Sequence, residues 1–276
     1  MAEAALFTVL LSGAPPDRAR LSQLLCKIHG VLPDEGAKLA RASWGVIGER
    51  FGEAAAASAA ESAAAAGLAA VIVPSALSSK IPAPLPAEKI CFSPEGLECH
   101  ARAVVLRVPW EAVYIAAAAP VRTEVFHPGA AAVKSGGVAG ALGSVALGMT
   151  LTGLPIPVSF GAKKQEKREA SVSAETEFLL DIFAESAGPR LRVAAGNFDY
   201  SCLGAKKTYS SQANFRELAL IVAAGARGAA KNAGLSAMVE SRPLSGLGYN
   251  SAEDYERELR RLFLLHVSNS NTHHWR

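Results

Sequence analysis

Apolar and polar positions change rhythm repeatedly along the chain, and each change marks an element. "LFTVLL" at residues 6–11 is an unbroken apolar run closed by "SGAPP", the pattern of a buried strand. Leu21, Leu24, Leu25 and Ile28 then recur at i, i+3, i+4 and i+7, which predicts a helix with one apolar face. Asp17 stands where it can cap that helix and Gly30 where it can end it. A second, shorter helix opens at Pro33–Asp34 and covers "EGAKLAR". "WGVIGERF" (44–51) alternates like a strand. "GEAAAASAAESAAAAG" (52–67) is a helix of high intrinsic propensity ended by Gly67, and "LAAVIVP" is a closing strand. The predicted order over residues 1–76 is β-α-α-β-α-β.

The Pro/Ser-rich stretch that follows, residues 77–89, reads as a linker. "ICFSPEGLECHARAVVLRV" (90–108) reads as two strands about a tight turn, and "PWEAVYIAAAAPVRTEV" (109–125) as a strand pair or one bent strand. "EFLLDIFAES" and "RLRVAAGNFDY" are further strands separated by "AGP". Asn214 is expected to start a helix with Glu217 completing a capping box; Phe215, Leu218, Val222 and Ala226 share one side of it. A last helix follows Ser251, with Asp254 at the box position and Tyr255, Leu259 and Leu262 available to dock. The tail "HVSNSNTHHWR" is polar and expected to be loose.

Two stretches carry family resemblances. "GVLPDEGAKLAR", "WGVIGERF" and "AAAAGLAAVIV", in that order, resemble the C-terminal domain of the bacterial ribosomal stalk protein and the Clp protease adaptor that reads N-terminal degradation signals. Gly30, Leu32, Ala37, Lys38 and Leu39 fall in register with the stalk pattern. In that family the helix lysine lies on the partner surface, so the resemblance makes Lys38 a candidate contact. The Clp adaptor needs an acidic segment after its first strand; here "SGAPPDR" offers only Asp17, and that activity is not carried over. Both families bind proteins and catalyse nothing. "SPEGL" followed by "VPWEAVYIA" resembles pleckstrin-homology-like and GRAM-like domains, which implies Trp110, Val113 and Ile115 as core positions and one amphipathic helix across an open barrel. The resulting expectation is an α+β chain: a small α/β module (1–76), the linker, a pleckstrin-homology-like barrel (90–235) with a Gly/Ala-rich insert (128–172), and a C-terminal helix and tail (236–276).

Composition narrows the function. Half of the 276 residues are apolar and only 7% aromatic, so the core must be built from Ala, Val, Leu and Ile. A net charge of +3 without a concentrated patch gives no reason to expect nucleic acid. The uncharged stretch from residue 135 to 162 holds seven glycines, Pro155 and Pro157, against ten larger apolar residues. Glycine costs roughly 1 kcal/mol in a helix relative to Ala, so an insert in water is expected rather than a span. Gly136 and Gly140 have the spacing of helix pairs in lipid, and membrane association stays as the alternative. The basic run "KKQEKR" (163–168) reads as a solvated linker or an anionic-lipid contact.

No cofactor or metal is expected: a P-loop, a GxGxxG turn, HExxH and CxxC are all absent. Cys91 and Cys99 flank a turn and either oppose each other or sit as two buried thiols; with no charged n-region before the first apolar run, a reducing cytoplasm is expected. Cys99 and His100, adjacent in a strand, face opposite ways and cannot act together. Asp181 and Glu185 are expected as solvated charges, and Asn197 or Asp199 as a corner residue with Phe198 and Tyr200 on alternate faces. Lys206 and Lys207, in the basic, hydroxyl-bearing turn "LGAKKTYSS" (203–211), join Lys38 as candidate partner contacts. No catalytic set survives its spacing test, so the expected function is binding of a protein or peptide partner. The alternative is a peripheral membrane protein that binds anionic lipid or inserts residues 135–162.

Overall fold

The first apolar run forms β1 (Phe7–Leu11), the central strand of three. The computed structural model describes residues 5–13, 17–102, 104–127, 171–185, 188–244, 247 and 249–272. β2 (Val46–Phe51) and β3 (Ala70–Pro74) flank β1, both antiparallel to it. Helices α1 (Arg18–His29), α2 (Pro33–Ala42) and α3 (Glu53–Ala65) fill the connections, giving the expected β-α-α-β-α-β order. α1 begins where the Asp17 carboxylate accepts from Ala19 N at 3.2 Å and ends at Gly30, φ +64°. That left-handed conformation costs a residue with a Cβ roughly 1–2 kcal/mol. One face of the sheet packs Val9, Leu11 and Ile47 against Leu21, Leu24 and Leu25 and the alanine stripe Ala56, Ala59, Ala63. Leu10, Val46 and Val73 point the other way, as strand alternation requires.

β5 (Lys89–Phe92), β6 (Gly96–Ala101) and β7 (Val104–Pro109) form a second antiparallel sheet. The sequence predicted two strands there. The extra reversal runs through Arg102, φ +52°, in a segment with neither Gly nor Pro to announce it. Cys91 pairs with Glu98 and Cys99 with Ile90, so the two thiols are not opposed. All four cysteines are free, and burial pushes the Cys99 thiol up to about 12.

β8 (Val113–His127) is a single strand and β9 (Ser171–Ala184) and β10 (Arg190–Ala194) follow. With β4 (Pro84–Pro86) and β11 (Ala230–Lys231) they make a sheet ordered β11-β8-β9-β10-β4. The stretch read as a linker therefore holds most of a 3-10 turn (Ser75–Lys80) and a strand parallel to β10. The fold is α+β, and no sheet among the described residues closes on itself.

α4 (Ser211–Gly225), α5 (Ala233–Val239) and α6 (Ala252–Thr272) complete the layers. α4 starts earlier than expected: Ser210 is its cap, accepting from Ala213 N at 3.2 Å, while Asn214 is buried and bonds Thr208. On one face of the five-stranded sheet Ala116, Ala118, Leu180 and Ile182 meet Phe215, Leu218 and Val222 of α4 together with Ile90, Leu97 and Val108 of the second sheet. On the other face Ile115, Ala117, Ala119 and Phe183 meet Tyr255, Leu259 and Phe263 of α6, which also covers Leu10, Val46 and Val73 of the first sheet. Val113 and Ile115 are core as expected; Trp110 is half-buried. Three arginines of α6 tie it to the first module. Arg261 donates to Leu11 O (3.0 Å) and Gly13 O (2.5 Å), Arg257 donates to Ala42 O (2.5 Å), and Arg260 meets Glu49 at 3.3 Å.

The chain divides into two compact units, residues 1–123 with 175–276 and residues 124–174. Apart from the ends of β8 and β9, everything described belongs to the first. No helix among the described residues is long and apolar enough to cross a membrane. The tail expected to be loose from residue 266 instead continues α6 to Thr272. Residues 135–162 and 163–168, the rest of the expected insert before β9, and His273–His274 lie outside the described residues.

Candidate functional site

α2 is built around close approach to α1. A Cβ at Gly36 would stand 2.1 Å from Cys26 Sγ, so glycine is what lets the two helices meet there. Only Gly36 and Ala40 of α2 are buried. Leu32 occupies the N-cap, makes no side-chain cap hydrogen bond and is 73% exposed; Leu39 is 40% exposed. Spaced seven apart, they fall on one side of the helix with Glu35 three and four positions from them, and Asp34, Lys38 and Arg41, further round the helix, are exposed as well. Lys38, a candidate from the sequence, is exposed on the same helix, turned about 100° from Leu39.

The other two candidates sit on another part of the unit. Lys206 closes the 3-10 segment Tyr200–Lys206 and meets Glu217 of α4 at 2.5 Å. Lys207 follows it, exposed. Asp199 forms the expected corner, accepting from Ser201 N (2.9 Å) and Ser201 Oγ (2.8 Å). Those bonds, ahead of the charges of Lys89 and Lys207, hold its carboxyl below the usual range. Phe198 and Tyr200 do not alternate as expected: both are buried and pack edge to face at 5.0 Å, because helical backbone begins at Tyr200. No hydrogen bond or ion pair among the described residues joins Lys38 to this turn.

The expectation of two solvated carboxylates at Asp181 and Glu185 fails for Asp181, which is fully buried. The register of β9 and β10 sets Arg192 directly opposite it, and Arg192 grips both carboxylate oxygens at 2.9–3.1 Å. Arg190 stands 3.4 Å from the same carboxylate, and Glu256 of α6 accepts from both arginines at 2.7 Å. Burial pushes the Asp181 carboxyl up against the pull of both arginines. A second buried carboxylate, Glu258, accepts from Tyr249 Oη, Asn232 Nδ2 and Ala233 N, and Asn232 also caps α5. The Glu258 cluster is hydrogen-bonded throughout, whereas Arg190 keeps Nε and Nη1 buried without a hydrogen-bond partner among the described residues and meets Asp181 only as an ion pair.

A cleft of about 520 Å³ brings Glu185 and Trp110, both named from the sequence, together with groups that sequence reasoning did not single out. His266 of α6 stacks on Tyr114 of β8 at 4.0 Å and lies 3.8 Å from Glu185; Ser12, Glu111, Arg261 and Asn269 add to the polar lining. Burial holds His266 below its ordinary value, with Glu185 opposing. Burial raises Tyr114, with Glu185 adding to it. Ser12 Oγ donates to Ala69 O at 3.3 Å, and Arg261 donates to the Leu11 and Gly13 carbonyls. Among the described residues no nucleophile of this cleft bonds a base. No protein-family model, curated protein or solved structure matches the chain. No group of three His, Cys, Asp or Glu among the described residues is placed to hold a metal ion.

Proposed function

We propose that the chain is a non-catalytic binding protein, an adaptor whose α2 face meets a protein or peptide partner. The observation that carries this reading is the leucine at the N-cap of α2. Ser, Thr, Asp or Asn would stabilise that position by about 1 kcal/mol relative to an aliphatic residue. Leu32 is instead uncapped and exposed beside Leu39. Folding has no use for an apolar side chain there, whereas a partner surface does. Glu35 borders the two leucines at helical spacing, and Lys38 and Asp34 add exposed charges of both signs further round α2. We read residues 90–235 as a pleckstrin-homology-like body, on the grounds that strands come first and the amphipathic α4 packs against them.

The test is capture from a lysate of the native host on immobilised full-length protein. The parent should retain a specific protein that Leu32→Asp with Lys38→Glu loses, while Glu61→Lys on the exposed side of α3 retains it. Full retention by the double variant contradicts the reading.

A further inference from the structure

A cavity of about 510 Å³ opens beside the first sheet; its polar lining is Thr8, Glu49, Arg50, Ser75, Ser78 and Arg260, and Ala5, Leu6 and Ala76 complete it. Its chemistry is lopsided toward donors. Arg50 makes no hydrogen bond or ion pair among the described residues. Arg260 gives one nitrogen to Glu49, at 3.3 Å, and keeps its remaining N–H groups. Thr8 Oγ1 and Ser75 Oγ share one hydrogen bond of 2.9 Å, so whichever accepts still has its own proton to donate. The Ser78 hydroxyl is unused among the described residues. Two guanidinium groups against the one carboxylate of Glu49 leave the lining at +1.

The backbone has been bent to place Arg50 there. β1 pairs Phe7 with Phe51 but Val9 with Gly48, so β2 carries an extra residue, a bulge of the kind that re-aims a side chain. Arg50 sits within it at φ +59°, a conformation that suits glycine and few others. Nothing in the packing uses the arginine, yet the position carries one. Outliers of this kind cluster where a side chain serves a ligand.

From the cavity, its surplus of donors and this strained arginine we propose that the site binds a phosphate group. Phosphate offers only acceptors, carries negative charge, and matches the fork of a guanidinium. A carboxylate has fewer oxygens to answer donors arriving from β1, β2, the 3-10 turn and α6. The proposal stands apart from the α2 reading and shares no residue with it.

The test uses the full chain. Amide shifts of Ser75, Ala76 and Ser78 are followed by NMR during titration with inorganic phosphate and with glycerol 3-phosphate at constant ionic strength. In parallel, the protein is sedimented with vesicles containing phosphatidic acid and with plain phosphatidylcholine vesicles. Saturable shifts place the phosphate on a soluble molecule; sedimentation with the acidic vesicles only places it on a lipid headgroup. In either case Arg50→Gly should weaken binding about tenfold or more, the loss of a charge-assisted pair. Glycine suits the backbone there, so the melting temperature of Arg50→Gly should be unchanged or higher. Arg50→Lys should fall between the two in binding. No saturable response in either arm, or binding that Arg50→Gly leaves intact, overturns the proposal.

Discussion

α2 and α3 belong to the same small module and are built to opposite rules. In α3 the buried residues Ala56, Ala59 and Ala63 lie three and four apart, facing the sheet, and every apolar residue outside that stripe is another alanine. Helix propensity and close packing account for the whole segment. α2 buries only Gly36 and Ala40 and leaves Leu32 and Leu39 in solvent, with a leucine at the one position where a polar cap is worth most. What a helix of this module needs for folding is displayed by α3. What α2 has beyond that is left over for a partner.

The sharpest way to break the contrast is to charge both helices. Ala56→Asp buries an unpaired carboxylate at a fully buried site and should cost about 3 kcal/mol or more in chemical denaturation. Lys38→Glu on the exposed side of α2 should move stability by no more than about 0.5 kcal/mol. Comparable losses for the two would remove the distinction.

A smaller effect tests the one place where α2 is committed to folding. Gly36→Ala gains helix propensity but sets a Cβ 2.1 Å from Cys26 Sγ and 3.0 Å from the Ser22 carbonyl oxygen. A net loss of about 1–2 kcal/mol is expected. It should be partly recovered in Cys26→Ala, which clears the thiol and leaves the carbonyl. A stabilised single variant would mean that the two helices can separate without cost.

The same question of necessity can be put to α6 through pH. The buried side of His266 faces Tyr114, and Glu185 is the charged group nearest to it. Its folded pKa lies below the ordinary 6.5, so the unfolded chain takes the proton first. The stabilising contribution is therefore complete above about 6.5 and is lost as pH falls below that value toward the folded pKa. His266→Gln should flatten the stability profile across that window, measured by urea midpoints at stepped pH. An unchanged slope would mean that other groups set it.

Much of the first module was legible because its signals are local. Asp17 and Gly30 bracket α1, Pro33 opens α2, and the periodic leucines and alanines mark the buried faces. Beyond it the decisive facts are matters of register and distance along the chain. Asp181 looked solvated until β10 set Arg192 across from it. His266 meets Tyr114 only because α6 crosses a strand formed some 150 residues earlier. Cys91 and Cys99 miss each other by one step of pairing. Arg102 and Arg50 take positive φ at residue types that give no warning of it. Of the lysines chosen from sequence, Lys206 turned out to be engaged by Glu217, a partner settled by how α4 packs, while Lys38 is exposed on a helix whose two leucines the sequence could not show to be uncovered.

The most direct measurement is the unfolding free energy of Leu32→Asp. If Leu32 is there for a partner, the aspartate caps α2 and the protein gains about 0.5–1 kcal/mol. A loss of that size or more would show that the leucine supports the fold, and the α2 surface would have no claim to be a binding face.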